Sequence, residues 1–180
     1  LTKTKQPKAL LVTASGNEIW FTEGKEVKAV SVKTGKVRRL VSDGEFLEID
    51  SGPKEQTLIA TVKSFGYHVK IFDLKNDSNF SLGKGCSASF SPDGTRGTNN
   101  LEGHQQLAIV NTTNRDGNVE KKLPAPKGVF TDNQFWSNHP DWIASIDEDS
   151  GHILAHRVAD GKVWKLSEMP DGDRPDLWLP

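Results

Sequence analysis

The sequence predicts an all-β chain in which one small antiparallel sheet recurs about four times. Three observations carry this reading. Four segments alternate apolar and polar residues around a polar turn, a second turn recurs in step with the first, and no stretch sustains helical spacing for three turns.

The four segments are Val27–Leu40, His68–Leu82, Gln106–Leu123 and His152–Leu166. Each reads as a β-hairpin. Thr34-Gly35, Asp116-Gly117 and Asp160-Gly161 supply turn residues that tolerate positive φ, and Asn76-Asp77 takes the same place in the second copy. The earlier turn appears in Val12–Phe21, Ile49–Leu58, Phe90–Arg96 and Trp136–Trp142, where Pro, Asp, Asn or Gly set the bend. The copies lie roughly 40 residues apart, the period of four-stranded propeller blades. The expected fold is therefore a β-propeller of about four four-stranded antiparallel blades in a single domain, 1–180. The blades fall at about 8–43, 44–85, 86–127 and 128–172. Residues 173–180 are left as the opening strand of a further blade or as a ring-closing strand. A fragment of a larger propeller is favoured over a four-bladed ring, because Asp176-Leu-Trp178 repeats Gln134-Phe-Trp136.

Lys plus Arg number 23 and Asp plus Glu 24, a formal net charge of -1. That balance removes the basic footprint expected of a nucleic-acid binder. The apolar runs are far too short to cross a bilayer as helices. Leu1–Lys8 is polar and basic with no apolar stretch behind it, so no signal peptide is read here, and processing would account for that equally well. Cys86 is the single cysteine, which excludes an internal disulfide and leaves the compartment open.

Ala88-Ser-Phe-Ser-Pro-Asp-Gly-Thr-Arg96 resembles the turn of TolB-type (WD40-like) propeller repeats, and the layout of the whole chain is similar to theirs. The resemblance implies blades around a central channel and a periplasmic or secreted location. It leaves function open, since such repeats serve binding proteins, peptidases and lyases. The chain departs from the pattern at Gly97-Thr-Asn-Asn100, where an apolar strand is expected. This predicts either a weakened second strand in the third blade or a place where function displaces packing.

The candidate ligand-binding residues fall in three places. Trp136, Asn138, His139, Asp141 and Trp142 form a loop suited to stacking on and hydrogen bonding a ligand; the alternative is a Pro-Asp turn between packing tryptophans. Asn99, Asn100 and His104 would line a channel or form a solvated edge strand. Trp178 lies in the closing segment. No metal site or cofactor is expected. No Cys or His pair has zinc-ligand spacing, Asp147–Gly151 and Asp171–Asp173 lack the calcium-loop pattern, and Cys86 reads as a buried inert thiol. No nucleophile elbow or phosphate loop is present either.

The leading expectation is a non-enzymatic binding propeller that contacts a protein or a carbohydrate ligand through its rim loops, without nucleic acid and without membrane insertion. Further blades of the same full-length protein are a second kind of partner. A polysaccharide lyase or hydrolase using His139, His104 and Arg174 is the alternative. The gating propeller of a peptidase is the third reading.

Overall fold

A computed structural model describes residues 9–168, 172 and 174–179. The expectations for Leu1–Lys8 and for Asp171 and Asp173 lie outside the described residues. Among the described residues there is no helix, and fifteen strands form four separate antiparallel sheets.

Strands β1 (Leu10–Val12), β2 (Glu18–Glu23), β3 (Glu26–Ser31) and β4 (Val37–Val41) make the first sheet in chain order. The second contains β5 (Glu45–Ser51), β6 (Thr57–Ser64), β7 (Gly66–Asp73) and β8 (Ser78–Lys84). The third contains β9 (Arg96–Leu101), β10 (Gln106–Asn111) and β11 (Val119–Pro124). The fourth contains β12 (Thr131–Trp136), β13 (Trp142–Asp147), β14 (Ile153–Arg157) and β15 (Val163–Lys165). Residues 174–179 belong to no sheet.

The recurrence seen in the sequence is a recurrence of hydrogen bonds. At the turn between first and second strands, Thr13, Gly52, Ser91 and Ser137 each donate N–H to the carbonyl five residues on, at 2.9–3.0 Å. In the first three copies the residue three positions on then donates back to the first carbonyl, at 2.8–2.9 Å. The outer hairpins turn where positive φ was expected, at Gly35, Asp77, Gly117 and Gly161.

Side chains on the two faces of the second and third sheets pack against different neighbours, as alternation along a strand allows. Trp20, Val27 and Ala29 of the first sheet meet Phe46, Leu58, Ala60 and Val62 of the second. Ile59, Val69 and Ile71, on the opposite face of that second sheet, meet Ala108 and Val110 of the third. Leu107 and Ile109, on the far face of the third sheet, meet Trp136 and Ile143 of the fourth. Three buried clusters therefore join four sheets face to face in chain order.

The third sheet corrects one expectation. Gly97–Asn100 does not weaken its second strand: β9 pairs with β10 along its whole length. The irregularity lies one strand further in. Residues 86–91 take the innermost position with a single bridge, Phe90 to Gly97, and Ser87 has φ 59°. The polar side chains of β9 serve that irregular segment. Thr98 Oγ1 accepts from Ser89 N at 3.0 Å and donates to the Ser87 carbonyl at 3.0 Å, while Asn99 Nδ2 donates to the Lys84 carbonyl at 2.9 Å. A Cβ on Gly97 would lie 2.9 Å from Ile59 Cδ1, so glycine permits the approach of the second sheet.

Candidate functional site

The innermost strands converge on one cavity of about 350 Å³. Its wall takes Leu10 and Val12 from β1, Ile49 from β5, Ala88 from the irregular segment and Phe135 from β12, and Arg174 and Asp176 line it too. Leu10 and Val12 point to the same side of β1 and are each 62% exposed. Gln134 also lines the cavity. It is 2% exposed, and among the described residues neither its amide oxygen nor its amide nitrogen has a hydrogen-bond partner.

Two polar layers hold the strands around this cavity. In one, Asp50 accepts from Ser51 N (2.7 Å), Phe90 N (2.8 Å) and Ser89 Oγ (3.1 Å), and Ser89 Oγ accepts from Trp136 N (2.9 Å). One hydrogen-bonded chain thus crosses the second, third and fourth sheets. Burial, only partly offset by those bonds, pushes the Asp50 carboxyl up to about 6. In the other layer, Glu48 accepts from Thr61 Oγ1 (2.5 Å) and Ser87 N (2.7 Å), and Ser87 Oγ donates to Asp132 at 2.5 Å.

The aromatic loop is largely committed to its own architecture. Trp136 is buried, donates Nε1–H to the Pro140 carbonyl at 3.3 Å, and carries the Arg96 guanidinium 5.0 Å from its ring centre. Asn138 pairs with the backbone of Leu179, donating at 2.7 Å and accepting at 2.8 Å. Asp141 donates its backbone N–H to Nδ1 of the exposed His139 at 3.2 Å. Trp142 lies against Trp164, with ring centres 5.2 Å apart. Of the candidate aromatics, Trp178 alone is broadly open, at 78% exposure.

His104 and His139 do not converge. Thr131 N, at the start of β12, donates to the His104 carbonyl at 2.8 Å, whereas Ser137, just past its end, bonds the backbone of His139. Six residues of strand lie between, a separation on the order of 15 Å. His104 instead meets Cys86, Asp132 and Glu148, and Asn100 reaches the same cluster, while Asn99 turns to Lys84. Arg174 lies beside the cavity.

No family model matches the chain, and no curated protein matches its sequence. Among solved structures, it superposes on TolB from Acinetobacter baumannii with a TM-score of 0.71 at 20% identity, covering 91% of this chain and 43% of that one. A chain of the nidogen/laminin complex gives 0.71 at 11% identity, covering 92% and 64%. A protein of unknown function from Bacteroides thetaiotaomicron gives 0.68 at 10%, covering 94% and 45%. The fold is a β-propeller. The chain spans less than two thirds of the length of each of these structures, so its four sheets correspond to part of the propellers it resembles.

Two features of this propeller escaped the sequence reading. Gln134 looked like an ordinary strand residue, and nothing in one dimension says that its amide lacks a partner among the described residues. Cys86, His104 and Asp132 are 18 and 28 residues apart and meet only because the inner segment of the third blade lies beside the first strand of the fourth.

Proposed function

We propose that this propeller is a binding module whose central cavity receives an apolar segment of a protein partner. The observation that carries the reading is the pair Leu10 and Val12, each 62% exposed on one side of β1 in a mainly apolar wall. That wall suits an aliphatic side chain, and the Gln134 amide, buried behind it without a partner among the described residues, offers an acceptor and a donor pair to a peptide group once it turns toward the cavity. Arg174 and Asp176 in the same lining add polar contacts that fix orientation. The nidogen/laminin structure is itself a protein complex, which supports a protein partner by analogy of fold alone. Resemblance to TolB-type repeats supports a periplasmic or secreted location. The lyase alternative finds no support in the placement of His104 and His139 at opposite ends of β12.

The test is selection of peptides from a random display library on the immobilised chain, followed by titration against variants. Selected peptides are expected to bind wild type and His139→Ala alike. They should lose about tenfold or more in affinity on Leu10→Glu and on Gln134→Ala. Removing an amide that already lacks partners among the described residues leaves no orphan behind, so the second variant should stay folded. Equal affinity across all four proteins would place the site elsewhere and overturn the reading.

A further inference from the structure

At the end of the inner strands where β12 begins, three side chains of different chemistry face one point. Cys86 Sγ lies 3.3 Å from His104 Nε2, and His104 Nδ1 lies 3.8 Å from Asp132 Oδ1. One ligand atom from each of the three falls within 4.8 Å of the others. A spacing of 4.8 Å or less lets a shared ion draw one donor from each side chain in to the 2.0–2.3 Å of zinc ligation.

The surroundings fit an ion as well. Glu148 Oε2 lies 2.9 Å from His104 Nδ1, an acidic group beside the ring nitrogen that does not face Cys86. Asn100 is 2% exposed, and its Nδ2 reaches Asp132 (3.2 Å), Ser87 Oγ (3.4 Å) and Cys86 Sγ (3.9 Å), while its Oδ1 has no partner among the described residues. A half-turn of that amide would bring the unmatched oxygen to the ligand side. A surface cavity of about 400 Å³, lined by Phe65, Tyr67, Gly85, Cys86, Asn100 and His104, leads to the cluster.

We infer that Cys86, His104 and Asp132 form a zinc-type transition-metal site, with Asn100 or water as fourth ligand and the Glu148 carboxylate beside the histidine. The site is structural in effect, since it would tie the inner segment of the third blade to the first strand of the fourth. A thiolate, an imidazole and a carboxylate together select a borderline ion such as Zn²⁺ over calcium or magnesium. The Cys86 thiol gives up its proton to become a ligand. Binding transfers that proton to buffer as the sulfur–metal bond forms.

The experiment is titration of the full chain with Co²⁺ and Zn²⁺. Wild type should bind one equivalent, show thiolate-to-cobalt charge-transfer absorption and release a proton. Zinc should raise the melting temperature and slow alkylation of Cys86. Glu148→Gln should weaken affinity about 10–100-fold, and Cys86→Ser should abolish the charge-transfer band. The cobalt spectrum and the alkylation rate are read on wild type, so a poorly folded variant leaves the test intact. Absence of the band in wild type, or equal metal affinity in wild type and Cys86→Ser, would overturn the site.

Discussion

Asp50 and His156 are both buried in the packed sheets, one an acid and one a base, and burial moves them in opposite directions. The Asp50 carboxyl rises from 3.8 to about 6, and the His156 imidazole, hydrogen-bonded to Ser145 Oγ at 2.7 Å, falls from 6.5 to about 4. Between about pH 4 and 6 the folded chain therefore holds a proton on Asp50 that the unfolded chain has released. Asp50 makes stability fall as pH rises through that window. His156 does the reverse. Over about pH 6.5 to 4 the unfolded chain takes up a proton that the folded chain refuses, so stability is lost on acidification. Each effect is on the order of 3 kcal/mol at full extent, so the pair nearly cancels in wild type. Asp50→Asn should therefore lose stability as pH drops from 6.5 to 4, and His156→Gln should gain it. Urea midpoints across that range check both. Parallel profiles for wild type and the two variants would show that neither group titrates as its burial implies.

Among the elements, the inner segment of the third blade shows how far sequence reaches. Its Ser-Pro-Asp-Gly turn was legible because each residue type has a local conformational reason to be there, and the turn bonds recur as expected. The strand after it was misjudged. Asn99 and Asn100 are polar by type, yet both are buried, since their partners at Lys84, Ser87 and Asp132 come from other strands. Alternation reports which face a residue occupies; it is silent on what that face meets. Gly85 shows the same limit. Its φ is 137°, and a Cβ there would come 1.9 Å from Asn99 Oδ1 and 2.2 Å from the Asn100 carbonyl oxygen. Gly85→Ala should cost about 3 kcal/mol or more, since the conformational penalty is joined by a backbone clash. Gly35→Ala, at φ 68° in open space, should cost only about 1 kcal/mol. Denaturant midpoints of the two variants measure the difference, and similar losses would mean the inner segment yields easily.

For the molecule as a whole, the period of about 40 residues announced the blades, because each blade repeats the same hairpin chemistry. The candidate site was less legible. A cavity lined by β1, β5, β12 and the irregular segment before β9 is a property of their convergence, and no single blade contains it. Face-to-face packing in chain order also has a consequence for cooperativity. Each apolar cluster joins one sheet only to the next, and the Asp50–Ser89–Trp136 chain binds the last three sheets while bypassing the first. The first sheet is held to the second chiefly through the cluster around Trp20, which is fully buried. Trp20→Ala should remove about 3–5 kcal/mol from that interface. In a nearest-neighbour assembly the loss is felt locally before it is felt globally. Hydrogen exchange of the variant should therefore show faster exchange in β2 and β3, with β9, β10, β13 and β14 close to wild type. A uniform loss of protection across all four sheets would show instead that the blades unfold as one unit, with coupling carried by the central cavity.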